Sequence, residues 1–406
     1  MSAKYTEKKQ YLSRYIFYIA YGILLFKNLI DHSTIQVFFS TESFLYNYIF
    51  RILSYSLILI KLFTENRMLL RQFILYAALI LLSVMVFLCS NEGYVIDIAF
   101  LVVGAHGVDL KSIVKIFFIF TSIAIIVLML LSICGLIINY KIYGEYGEQE
   151  MVRYSFGSTY PTDFAARIFY VELAYTYLKK NKHDILYLLF WLSVGLFVWF
   201  FCRARLNTIL IICFALAVFI NTKFPKVYKY KIIKFLLIYS MILCCVISIS
   251  LHALYSKDNS LLYSLNIILS NRLMLGKVGI DEYGFSLFGK IIEMNGNGFT
   301  TQNIDWSKGY FYIDCGFLKI ALTNGIIYLL FFVAFFTVAA RKAVKSDNIV
   351  LGIIITFLAL TSIVDHHIVE VGYNPFLFLI TGVLLNFKKG YHRQGMNVYR
   401  LQKKLQ

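Results

Sequence analysis

Proline is nearly absent, with 3 residues in 406, and Asp and Glu together number only 22. The proline shortage fits long, uninterrupted helices, which close their own backbone hydrogen bonds where lipid offers no partners. With charged residues at 15% of the chain, there is too little polar surface to cover a soluble globule of this size. The seven cysteines show no C-x-x-C spacing, and Cys89, Cys134, Cys213, Cys244 and Cys245 fall in apolar runs, where cysteine acts as a small hydrophobe. Cys202 and Cys315 fall near one predicted face, with nothing in the spacing to pair them. No P-loop, G-x-S-x-G, G-x-G-x-x-G or H-E-x-x-H occurs, so neither ATP use nor a serine nucleophile has a motif behind it, and the expectation is of no cofactor and no metal. No small-residue cleavage site follows the first apolar run, which Lys27 interrupts, so that run is expected to remain as a span.

What the chain does have is apolar length: 60% of residues are hydrophobic and the mean hydropathy is +0.72. The expected fold is all-α, a polytopic membrane protein in which each span needs about 20 apolar residues. Twelve helices are placed near 15–30, 46–63, 73–90, 95–108, 116–138, 163–178, 185–201, 206–221, 232–250, 313–338, 349–364 and 374–387. The fourth is short for a crossing and contains Asp97 and His106. The net charge of +17 arises from short basic clusters at the ends of apolar runs, a pattern of topology rather than of nucleic-acid binding. Of the 39 Lys and Arg, 26 fall on the side of the N-terminus, nine on the other and four within spans. Since this bias sets orientation, both termini are expected inside the cell. One membrane domain, 1–406, then includes a large external loop, 251–313, between the ninth and tenth helices and ends in a basic cytoplasmic tail, 388–406.

Four outer stretches carry the residues suited to chemistry. RYSFGSTYPT supplies Arg153 and Tyr160. CRARLNT supplies Arg203 and Arg205 in a turn too short to shelter them, so they are expected to face a polar cavity or an anion rather than lipid. The loop supplies Arg272, Trp306, Tyr310 and Tyr312 and ends at Asp314. DHHIVEVGYNP supplies Asp365, His366, His367 and Glu370. Guanidinium forks grip phosphate at two points and stay charged, which suits a pyrophosphate at a membrane surface. The blander roles are headgroup contact for Arg203 and Arg205, an ion pair with Glu148 or Glu150 for Arg153, helix capping for Asp314, and an interfacial aromatic belt for the tyrosines and Trp306. Arg167 is expected to pair with Asp163 one turn away. Two adjacent histidines on a helix point apart and would not share a metal.

These stretches resemble the Wzy-type O-antigen, capsule and exopolysaccharide repeat-unit polymerases. RYSFGSTYP is similar to the family's R-x-x-x-G-x-x-H-P-N at Arg153, Gly157 and Pro161, departing at Tyr160 and Thr162. RARLNTIL resembles its arginine turn at Arg205, with Arg203 an addition. NRLMLGKVGIDEYGFSLFGK matches at Arg272, Tyr283, Gly284, Phe288 and Gly289. IDCGFLKIALTNGII keeps Asp314 and Gly325, and VEVGYNP keeps Glu370 and Asn374. The resemblance implies a metal-independent glycosyltransferase of the bacterial plasma membrane, acting on its outer face. It would join undecaprenyl-pyrophosphate-linked repeat units, with a chain-length regulator and a flippase as partners. In that scheme Arg205, helped by Arg203 and Arg153, stabilises the departing pyrophosphate and Asp314 or Glu370 takes the acceptor proton. Arg272, Tyr160, Tyr310 and His367 bind substrate. An O-antigen ligase-like transferase and a flippase of lipid-linked oligosaccharide share the same outer charges and stay open at this point.

Overall fold

The computed structural model describes residues 2–38, 44–64, 68–146, 149–179, 183–296 and 309–385. Trp306, Glu148 and the tail 388–406 lie outside them. The chain is mostly helical, in the order α1 (Ser2–Asp31), α2 (Phe44–Thr64), α3 (Leu70–Ser90), α4 (Tyr94–Gly104), α5 (Leu110–Ile133), a hairpin β1 (Lys141–Tyr146) and β2 (Gln149–Tyr154), α6 (Pro161–Leu178), α7 (Ile185–Phe197), α8 (Arg205–Lys223) and α9 (Lys231–Ala253). Then follow α10 (Ser260–Ile268), α11 (Arg272–Tyr283), α12 (Gly316–Lys319), α13 (Ile326–Lys345), α14 (Ile349–Thr361) and α15 (Leu379–Leu385). Among the described residues, six helices are long and apolar enough to cross a membrane: α3, α5, α7 with the π-turn that extends it to Cys202, α8, α9 and α13. Their outward faces are rich in exposed Leu, Ile and Phe, the pattern of a bundle solvated by lipid.

The fourth expected span is real as a helix but short. At 11 residues α4 is about 16 Å long, roughly half a bilayer core. It is sheathed by protein, with Asp97 and most of its apolar residues buried. Asp97 is matched by Arg51 of α2, 3.1 Å away, and by the Tyr55 hydroxyl at 2.5 Å, so the charge inside the bundle is paired.

Two elements differ from expectation. The outer stretch before α6 forms an antiparallel pair of strands with Ile142 opposite Arg153, which carry the β-formers Ile142, Tyr143, Tyr146, Val152 and Tyr154. The expected tenth span, 313–338, is broken. Residues 316–324 make one short helix with a π-turn, and α13 starts afresh after Gly325, whose φ is +88°. The cause is a crossing chain. The segment after α11 drops onto the break, where the Ser286 and Leu287 carbonyls accept the backbone N–H groups of Ile326 (3.0 Å) and Ile327 (3.2 Å), capping α13 at its N-terminus. Gly289, with φ +86°, sits against Thr323, and a Cβ on Gly325 would run into Gly289 and Leu287. Each glycine therefore needs both the left-handed backbone and the empty space. Gly289→Ala or Gly325→Ala should each destabilise the protein by about 1–3 kcal/mol, read as a fall in thermal unfolding midpoint in detergent. An unchanged midpoint would show that the break yields freely.

The helices α6 and α8 both run from one cavity to another. Thr162 and Asn207 line the first, and Thr176 and Asn221 the second, a pocket of about 590 Å³. Fourteen residues of helix separate the two levels by about 21 Å.

Candidate functional site

The first cavity encloses about 630 Å³ and is lined by Arg153, Arg203, Arg205 and Arg272, with Tyr160, Tyr310, Tyr312, Trp199, Asp163, Asp314 and His366. Seven of the nine residues given roles in the sequence scheme meet here, drawn from the hairpin, three helix starts and the segment before α12. Arg205 opens α8 behind Ala204, which gives the helix no side-chain cap. Arg272 opens α11 after Ser270 and Asn271, both in left-handed backbone. Asp163 lies in the first turn of α6, and Pro161 at its first position has no N–H to satisfy. Three helix N-termini thus aim their partial positive charge at one space.

The arginines are held differently. Arg153 Nε donates to the Cys202 carbonyl at 3.2 Å and its guanidinium lies over the Tyr160 ring at 5.5 Å, so the hairpin is tied to the end of the π-turn after α7. Of its expected partner Glu150 only the backbone is described. Arg203 has φ +51° and its Nε is buried with no hydrogen-bond partner. Arg272 pairs with Asp314, Nε to Oδ2 at 3.0 Å. Asp314 therefore does not cap α12; Cys315 occupies that position. Against the burial that opposes it, the Asp314 carboxylate holds Arg272 firmly charged.

Glu370 and His367 lie behind the cavity wall rather than on it. Glu370 is gripped by two histidines, His367 Nδ1 at 3.1 Å and His32 Nε2 at 3.0 Å. Burial pushes its pKa up, but His32 and His367 outweigh this and hold it well below the usual carboxylate range. Burial likewise opposes charge on His367, yet Asp365 and Glu370 raise it well above the ordinary histidine value. His366 goes the other way: burial, then the nearby Lys319 and His367, keep it neutral. Its 3.4 Å approach to Glu370 is thus a neutral contact, not an ion pair. Lys319 Nζ donates to the Tyr312 hydroxyl at 3.2 Å, which leaves that hydroxyl to donate to His366 Nε2 at 3.1 Å.

The histidine doublet does not sit on a helix as expected. It enters a 3₁₀ turn, His367–Val369, and the two rings lie 4.4 Å apart at 40°. Asp365, His366 and His367 offer ligand atoms within 4.8 Å of one another. Arg167 does not take Asp163 as its partner. It stacks over Tyr373 at 4.6 Å and donates to the Asn28 carbonyl, while Asp163 receives the Thr159 hydroxyl at 2.5 Å and faces His367.

Sequence reasoning missed His32, Asp163 and Lys319. His32 follows the last residue of α1, 338 positions from Glu370, and only folding joins them. A weaker signal existed for Asp163: a carboxylate in the first turn of a helix right after the Arg153 stretch.

Chemically, the cavity can hold a multiply charged anion between arginines and helix N-termini, with apolar and aromatic walls beside it. Comparison of the chain with models of known families, with curated proteins and with solved structures finds no match.

Proposed function

We propose that the protein is a repeat-unit polymerase that joins undecaprenyl-pyrophosphate-linked oligosaccharides on the outer face of a bacterial plasma membrane. In this reading the chain crosses the membrane twelve times with both termini inside. The observation that carries it is the convergence of four arginines and three helix N-termini on one cavity of about 630 Å³ at one end of an apolar bundle. A single phosphate monoester would not need so many cations, whereas two lipid-linked pyrophosphates side by side would.

The division of labour follows from position. Arg203 and Arg205, with Arg153 alongside, face the pyrophosphate that departs, where charge grows as the glycosidic bond breaks. Arg272 and Asp314 face the acceptor, and Asp314 takes the proton of its attacking hydroxyl. Tyr160, Tyr310 and Trp199 offer flat faces for sugar rings. The donor glycan ends bonded to the acceptor hydroxyl, and undecaprenyl pyrophosphate leaves with its negative charge on the arginines. Glu370 and His367 act from behind the wall by fixing His366 and the chain around it.

Reconstitution in proteoliposomes with a lipid-linked repeat unit separates this reading from its neighbours. A ladder of longer lipid-linked glycans is the expected product. Transfer to a different lipid or to protein would make it a ligase, and movement of the unit across the bilayer without new bonds would make it a flippase.

A further inference from the structure

We propose that Asp163, Asp365 and His367 form a divalent-cation site in the wall of the arginine cavity, of the oxygen-rich, single-imidazole kind that suits Mn²⁺. The inference rests on the geometry of these side chains and not on the polymerase reading.

The histidine is arranged as metal-bound histidines are. Its Nδ1 faces Glu370 Oε1 at 3.1 Å, the second-shell carboxylate that fixes the ring and leaves Nε2 as the ligand atom. Nε2 lies near two carboxylate oxygens, Asp163 Oδ1 at 3.5 Å and Asp365 Oδ1 at 3.9 Å. Both separations are long for a hydrogen bond. Ligand atoms that share one ion at bonds of about 2.1 Å lie about 3.0–3.4 Å apart in octahedral or tetrahedral geometry. Asp163 is already close to that spacing, and Asp365 needs to move in by about half an ångström.

The carboxylates are oriented from behind as well. The Thr159 hydroxyl occupies Asp163 Oδ2 and leaves Oδ1 free to turn toward His367. The backbone N–H of His367 donates to Asp365 Oδ1 at 2.8 Å, which fixes the carboxylate beside the ring. Two carboxylates and a neutral imidazole balance a dication, and Glu370 is balanced by His32 on its other oxygen. A hard-to-borderline ion fits one nitrogen and two oxygens, which favours Mn²⁺ over the thiolate-seeking metals. In the ion's absence a proton on Nε2 takes the same position.

The site also has a face. Asp163 and His366 line the cavity, so the ion's remaining positions open toward the space the arginines surround. A phosphate oxygen or water held there would complete the shell, and His366 stands close enough to add a further nitrogen. The anion class is therefore a phosphate or pyrophosphate, bound by arginines on one side and by the cation on the other.

The test uses full-length protein in detergent, stripped with chelator and titrated with Mn²⁺ alone. Electron paramagnetic resonance should show one ion taken up per chain, with pulsed spectra carrying the coupling of an imidazole nitrogen. His367→Gln should lose that coupling, Asp163→Asn with Asp365→Asn should lose the ion, and Lys257→Ala, at an exposed turn outside the cavity, should bind as wild type does. Should the variants misfold, the wild-type unfolding midpoint provides the second reading, rising with added Mn²⁺ and returning when chelator is added. Absence of stoichiometric uptake by the wild-type protein overturns the proposal, as does uptake unchanged in both variants. No glycan enters the assay, so a failure here leaves the polymerase reading standing, and failure of the polymerase reading leaves the ion.

Discussion

On the polymerase reading, Arg205→Ala should slow chain extension by about 100- to 1,000-fold while leaving the protein folded, the scale seen when one preorganised donor to a developing anion is removed. The placement of the residue argues for this. Arg205 is the first residue of α8, where the helix dipole disfavours a cation by about 0.3–1 kcal/mol. Arg272 holds the same position in α11. Two arginines at helix starts stand against their own helix dipoles and line one cavity, where an anion would meet both. Removing Arg205 should lower the extension rate by far more than it moves the unfolding midpoint. Arg205→Lys should lie between, since an ammonium keeps the charge but not the two-point fork. The measurement is the rate of the lipid-linked ladder in proteoliposomes, beside thermal unfolding of the same preparations. Extension by Arg205→Ala at the wild-type rate would remove the leaving-group role.

The long apolar helices are legible in the sequence because hydropathy is a property of runs, and α3, α5, α7, α8 and α9 lie where apolar runs lie. It made the arginines legible because cations are scarce in the short turns where Arg203 and Arg205 occur. It could not show the break at Gly325. That break depends on a loop 36 residues earlier in the chain, Gly289 and its neighbours, reaching down to a point where the run IALTNGIIYLL reads as unbroken helix. The hairpin escaped for another reason: its strands are six residues each, too few to stand out beside long helical periodicities. The histidines show the same limit. Adjacent residues on an assumed helix diverge, but a 3₁₀ turn brings the His366 and His367 rings together, and no local pattern marks that turn. The sequence points to Glu370, yet its seat behind the wall depends on His32 from the far end of the chain.

On the same polymerase reading, Asp314→Asn is expected to lower the extension rate at saturating substrate by about 10²–10⁴-fold, the usual contribution of a positioned general base, with little change in KM. The sequence offers two carboxylates for the proton, Asp314 and Glu370. Only Asp314 lines the cavity. Glu370 is closed off by the histidines that hold it, and no acceptor hydroxyl reaches hydrogen-bond distance without displacing them. Asparagine keeps the shape and an oxygen to accept from Arg272 at 3.0 Å, so the pair's geometry survives while the negative charge that receives the proton is lost. Glu370→Gln should behave in the opposite way. It leaves a charged His367 buried beside a neutral amide, and removing one partner of such a pair costs about 3–5 kcal/mol, so its first effect is on the unfolding midpoint. Comparing the two variants by rate and by midpoint distinguishes a base from a buried support. If a folded Glu370→Gln protein stopped extending chains while Asp314→Asn extended them normally, the proton would have to leave through the histidine wall, and the roles of the two carboxylates would exchange.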